Sequence, residues 1–143
     1  MRKFKNIVLS IVPLIIGGML YLGYRSQELL MFRWANYLGL SRIVNSWRKF
    51  CFQYPLPEWC YYALPDGLWL LSYILLIYII WDSHTWKSII WIYALPTIAI
   101  TSELIQLLDS RFGTFDIMDV ICYMGAILLF ELKTKIEWKR KDI

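Results

Sequence analysis

Four carboxylates stand inside otherwise apolar stretches of this chain: Asp66, Glu103, Asp116 and Asp119. An ionisable side chain in an apolar span is costly. It faces a bundle interior or a wet cavity, where it pairs or binds. Three of the four have a simpler role open to them. Asp66, Asp116 and Asp119 fall where first helical turns are predicted, and the helix dipole favours a carboxylate there by about 0.3–1 kcal/mol. Glu103 has no such role, because it lies near the predicted C-terminal end of its helix, where the dipole disfavours an anion. It must be paired, protonated or solvated. Gln106, at i+3, shares its face. Arg111 is its predicted partner, folding a long side chain back from the next turn. Oxygen ligands of this kind also suit Mg²⁺ or Ca²⁺, so Glu103, Asp116 and Asp119 are candidate ligands for a divalent cation.

Other site chemistries find little material. His84 is the only histidine, and Cys51, Cys60 and Cys122 are the only cysteines, with no Cys-x-x-Cys pair. A zinc site of the usual Cys/His type is therefore excluded. A Ser–His–Asp triad is disfavoured because His84 is predicted on the opposite membrane side from the carboxylates. Cys51 and Cys60 share one connection predicted to face outward, where they are either a disulfide or two reduced thiols.

The elements that must position these residues follow from the hydropathy. Of 143 residues, 59% are apolar and 18% charged, against roughly 25% charged in soluble domains. The apolar residues fall in blocks close to the roughly 20 residues that cross a bilayer as a helix. The chain is read as all-α, a polytopic bundle of four membrane spans at 6–24, 63–81, 88–108 and 116–132. A helical connection, 25–62, joins the first two, and a basic tail covers 133–143. The first span resembles a signal peptide in its basic start, but no small residues mark a cleavage site before Ala35, so it is read as retained.

The net charge of +4 does not indicate nucleic acid, because the basic residues flank spans instead of forming a platform with aromatics. Nine lie at the termini or in the Asp82–Lys87 turn, and six (Arg25, Arg33, Arg42, Arg48, Lys49, Arg111) lie in the other connections. The basic termini are predicted cytoplasmic, with the chain multi-pass in the cell membrane. Asp66, Glu103, Gln106, Asp116 and Asp119 then reach one depth close under the outer surface, with Arg111 above them. The connection reads as an amphipathic helix over 26–38, with Leu30, Trp34, Tyr37 and Leu38 on one stripe. Gly39 is its predicted stop, Ser41 the N-cap of a second helix through Trp47, and Tyr54-Pro-Leu-Pro57 a break. Interleaved Arg and Lys fit a headgroup-region helix, and a cap packed on the bundle fits equally.

Glu103-Leu-Ile-Gln106, then Arg111, then Asp116-Ile-Met-Asp119 resembles the VanZ-like family of small bacterial membrane proteins. That family ends one span with Glu-x-x-Gln, carries Arg in the next turn and opens the following span with Asp residues. It continues with an Asn and a Gly, where this chain has Tyr123 and Ala126, with Gly125 one place early. The likeness covers this stretch and the four-span layout. It does not extend to the long connection or to Leu64-Pro-Asp-Gly-Leu-Trp69. It implies a bacterial envelope protein, the founding member being linked to resistance to a glycopeptide antibiotic of the teicoplanin kind. It implies no reaction.

Three functions are consistent with these residues. The leading one is a non-catalytic protein whose outer-facing polar cluster binds a lipid headgroup, a lipid-linked cell-wall precursor or a glycopeptide-like amphiphile. Arg111, with Arg25 nearby, would meet a phosphate, and Gln106, Asp66 and Trp69 would add polar and stacking contacts. The second is a metal-dependent enzyme acting on a phospho- or pyrophospho-lipid. The third is a structural subunit or effector, as a homo-oligomer or within a larger membrane assembly, whose polar cluster fixes helix register.

Overall fold

A computed structural model of the chain describes residues 2–81 and 86–139, with side chains over 7–81 and 86–137. His84 and most of the Asp82–Lys87 turn lie outside the described residues, as does the end of the basic tail. Among the described residues every regular element is helical. They are α1 (Arg2–Tyr24), α2 (Leu30–Tyr37), α3 (Ser41–Cys51), α4 (Glu58–Tyr62), α5 (Leu64–Trp81), α6 (Trp86–Leu108) and α7 (Ile117–Lys139), with a 3₁₀ turn at Ser110–Phe112.

Among the described residues three helical stretches are long and apolar enough to cross a membrane: Ile7–Tyr24, Glu58–Trp81 (α4 continued by α5) and Trp86–Leu108. The middle one is 39% buried and the other two 22%, so α5 is the hub, packed against α1, α6 and α7. Leu70, Ile74 and Leu75 of α5 meet Ile92 of α6 and Ala126 and Phe130 of α7 in the main core. Glycines set two of these approaches. A Cβ on Gly17 would lie 2.6 Å from the Trp69 indole nitrogen, and one on Gly67 2.9 Å from the Cys122 carbonyl oxygen.

Pro13 and Pro96 interrupt α1 and α6, and each removes a backbone donor from its turn. Hydroxyls of α5 bond to carbonyls beside both breaks. Ser72 donates to Ser10 O at 2.6 Å and Tyr73 to Trp91 O at 2.6 Å, ties that fasten α5 to each of these helices close to its proline.

The connection differs in detail from its sequence reading. Its first helix starts at Leu30, not Ser26, and Leu40, not Ser41, is the cap residue of α3. Ser41 bonds Asn36 Oδ1, because the tight turn at Gly39 brings the end of α2 within its reach. Gly39 has φ +71°, and Gly39 N–H and Leu40 N–H bond to Asn36 O and Ala35 O, a complete Schellman stop. Phe32, Ala35 and Val44 are buried with Leu22 and Leu29. The Leu30, Trp34, Tyr37 and Leu38 stripe points away from the protein and is exposed.

Helix α7 also departs from its predicted end at residue 132, continuing through Lys139. Its last turns are tied to α5 and α6. Tyr93 donates to Glu131, Tyr78 donates to Glu137 at 3.2 Å, and Lys133 pairs with Glu137 at 3.2 Å. With Phe130 and Thr134 buried, the charged segment has packing reasons to remain helical.

Candidate functional site

The C-terminal ends of α1 and α6 and the N-terminal ends of α5 and α7 meet at one end of the bundle. Asp66 occupies the first turn of α5, following Pro65, whose missing N–H costs nothing in a first turn. Asp119 occupies the first turn of α7. Asp66 lies within electrostatic range of Arg25 and Glu103, and Asp119 within range of Glu103, Asp66, Asp116 and Arg25. The four carboxylates therefore form one electrostatic neighbourhood.

Glu103 is 5% exposed, and its Oε2 accepts the backbone N–H of Asp116 at 3.3 Å. Asp116 itself precedes α7, and its Oδ1 accepts the Met118 N–H at 2.8 Å, the contact an N-cap makes. In a capping box an acid three residues into the helix reaches back to the N–H of the cap. Here that acid arrives from another helix. Gln106, one turn on, lies against Gly113, where a Cβ would stand 2.9 Å from its Cδ. Together Glu103 and Gln106 hold the 109–116 loop onto α6. Gly113, at φ +139°, supplies a backbone conformation that residues with a Cβ rarely adopt.

Arg111 is not the partner of Glu103. Its Nη2 lies 2.6 Å from Asp109 Oδ2, and its Nε and backbone N–H donate to the same carboxylate at 3.0 Å. The side chain is 86% exposed. Two residues apart in a 3₁₀ turn, the pair closes locally, with less chain to order than a return to α6 would need. The Arg111 guanidinium and backbone N–H hold the Asp109 carboxyl below the usual carboxylate range.

The cation among the carboxylates is Arg25, at the end of α1. Its guanidinium lies over the Tyr62 ring at 4.6 Å and the Tyr21 ring at 5.2 Å, contacts that suit a cation–π pair. Among the described residues its Nε is buried without a hydrogen-bond partner, as is Asp119 Oδ1. Tyr123 is also within electrostatic range of Asp66, Asp119 and Glu103. The signal for Arg25 was its place at the end of the first span, level with the start of the second.

One further assignment changes, and one open alternative is resolved. Trp69 faces α1, donating to Leu14 O at 3.3 Å and packing on Tyr21 at 5.4 Å, so it braces the bundle. Cys51 and Cys60 are both free thiols, Cys51 buried, with Gly23 giving its sulfur room beside α1. Burial pushes the Cys51 thiol up, partly opposed by Tyr24 and Arg48. Among the described residues no group of three or more His, Cys, Asp or Glu is arranged to hold a metal ion, and Glu103 and Asp116 are committed to the cap.

Arg48 is a structural cation that the sequence reading did not single out. It is buried, and its Nη1 donates to Leu22 O at 2.9 Å and Arg25 O at 2.7 Å, capping the end of α1 where a positive charge is favoured. Trp47 donates to Met19 O at 2.9 Å and fastens α3 to the same turns. The carbonyl of Arg25 is thereby held while its guanidinium stays within electrostatic range of Asp66 and Asp119.

No family model, no curated protein and no solved structure matches the chain. The site must be interpreted from its own chemistry.

Proposed function

We propose that the protein is a bacterial cell-membrane protein of four spans with cytoplasmic termini, and that it binds a zwitterionic amphiphile at the outer surface. α7 is the fourth span in this reading, its short apolar segment screened by α5 and α6. The headgroup would carry an amine and a phosphate. The VanZ-like resemblance supports the envelope setting, and the charges support the headgroup.

One observation carries the reading. Arg25 Nε and Asp119 Oδ1 are buried, belong to oppositely charged groups and have no hydrogen-bond partner among the described residues, and Asp119 lies in the electrostatic range of Arg25. Leaving such groups unsatisfied costs about 1–3 kcal/mol each, more when charged. A phosphate oxygen on Arg25 and an ammonium on Asp119 and Asp66 would satisfy both at once. A purely anionic headgroup would meet carboxylates, and a purely cationic one would meet Arg25.

The test is native mass spectrometry of the purified chain released from nanodiscs of equal phosphatidylethanolamine and phosphatidylglycerol. Retained lipid should be enriched in phosphatidylethanolamine, and Asp119→Asn or Arg25→Gln should abolish the enrichment. Retention at the bulk ratio by the unmodified chain overturns the reading.

A further inference from the structure

A second polar feature lies in the connection, apart from the acidic cluster. The Gly39 stop folds α3 back on α2, and a cavity of about 190 Å³ opens between them. Gln27, Asn36, Ser41 and Asn45 line it, over a floor of Phe32, Ala35 and Val44. No charged side chain lines it, although Arg33, Arg42 and Lys49 stand on the same two helices. Its polar groups are paired only in part. Gln27 Nε2 donates to Asn45 Oδ1 at 3.3 Å, and Ser41 donates to Asn36 Oδ1. Those two bonds leave the amide NH₂ groups of Asn36 and Asn45 as donors and Gln27 Oε1 and the Ser41 oxygen as acceptors.

We propose that this cavity binds the ring of an uncharged sugar. Each sugar hydroxyl both donates and accepts, which matches a lining of alternating donors and acceptors. The C–H face of the ring fits the apolar floor. A phosphate or an ammonium would find no counter-charge among the lining residues. A peptide strand would need a free sheet edge or an apolar groove, and two capped helices present no such edge. The volume is below the roughly 300 Å³ at which drug-sized pockets begin, so one ring fills it. The sugar belongs either to a glycolipid headgroup or to a free saccharide.

The experiment follows the side-chain amide resonances of Gln27, Asn36 and Asn45 by NMR in the ¹⁵N-labelled full chain in nanodiscs. Methyl β-glucoside is titrated first, and nanodiscs containing monoglucosyl diacylglycerol are then compared with nanodiscs lacking it. Shifts of these amides with both probes identify the ring itself as the ligand, and shifts with the glycolipid alone identify a lipid-linked sugar. Asn45 is exposed, so Asn45→Leu keeps the fold, checked by unchanged backbone resonances, and should raise the titration midpoint at least tenfold. Arg25→Gln and Asp119→Asn should leave the response intact, which separates this site from the zwitterion site. No shift with either sugar, equal shifts with inorganic phosphate or glycylglycine, or an unaltered midpoint in Asn45→Leu overturns the proposal.

Discussion

Glu103 on α6 accepts the backbone N–H of Asp116, the residue that caps α7. A buried acid in an apolar helix is thereby explained by the start of the next helix, across the loop that joins them. Glu103→Gln keeps an acceptor oxygen at that position, so thermal stability in detergent should change little. Glu103→Leu leaves the Asp116 N–H without its acceptor and should cost about 1–3 kcal/mol. Arg111→Ala should leave the melting temperature unchanged, since its partner is Asp109 at the surface. A loss in Arg111→Ala as large as in Glu103→Leu would contradict this pairing.

Gly67 is the point where α5 approaches the α7 backbone. The nearest obstacles to a Cβ there are Cys122 Cβ at 2.8 Å and the Cys122 carbonyl oxygen at 2.9 Å, and a backbone carbonyl cannot swing aside. Gly67→Ala should destabilise the chain by about 1–3 kcal/mol, as overpacking does. Gly18→Ala meets nothing within 4 Å and should be neutral or slightly stabilising. Paired thermal unfolding of the two variants checks the difference.

Arg48 joins α3 to α1 through two carbonyls. Arg48→Met retains apolar bulk between Phe32 and Phe52, removes both hydrogen bonds and should cost about 1.5–3 kcal/mol. Hydrogen exchange should read the loss as faster exchange at the end of α1 and throughout α3, with the α5–α7 core little changed. Uniformly faster exchange across the chain would show that the connection is not a separate unit.

The thiols offer a reading of both packing and topology. Cys51 is buried and its thiol is raised by burial, so it should alkylate more slowly than Cys60, with the gap closing on denaturation. A group neutral in the fold and ionised when unfolded lowers stability as pH rises from the ordinary thiol range toward its raised value. Cys51→Ser should weaken that alkaline loss. In intact cells an impermeant maleimide should reach Cys60 and not a cysteine placed at position 139. The reverse pattern would invert the topology and move the acidic cluster to the cytoplasmic face.

Local signals made much of the helix plan legible. The apolar blocks mark the long helices because a helix in lipid needs length and apolarity, both of which are read along the chain. Gly39 and Tyr54-Pro-Leu-Pro57 mark stops because φ and the missing proline N–H are properties of single residues. Asp116 could be read as a capping candidate for the same reason. Partners across helices could not be read this way. Whether Arg111 reached Glu103 or Asp109, and whether Trp69 faced the acids or α1, depended on helix rotation and loop closure, which hydropathy does not encode. Tertiary packing also took Arg25 to the carboxylates, held α7 together past Leu132, and turned the aromatic stripe of α2 outward while burying Phe32 and Ala35. In these last three cases contacts between residues distant in sequence outweighed the local preference, because burial and hydrogen bonding are settled only when the helices meet, whereas Arg111 kept its local partner Asp109.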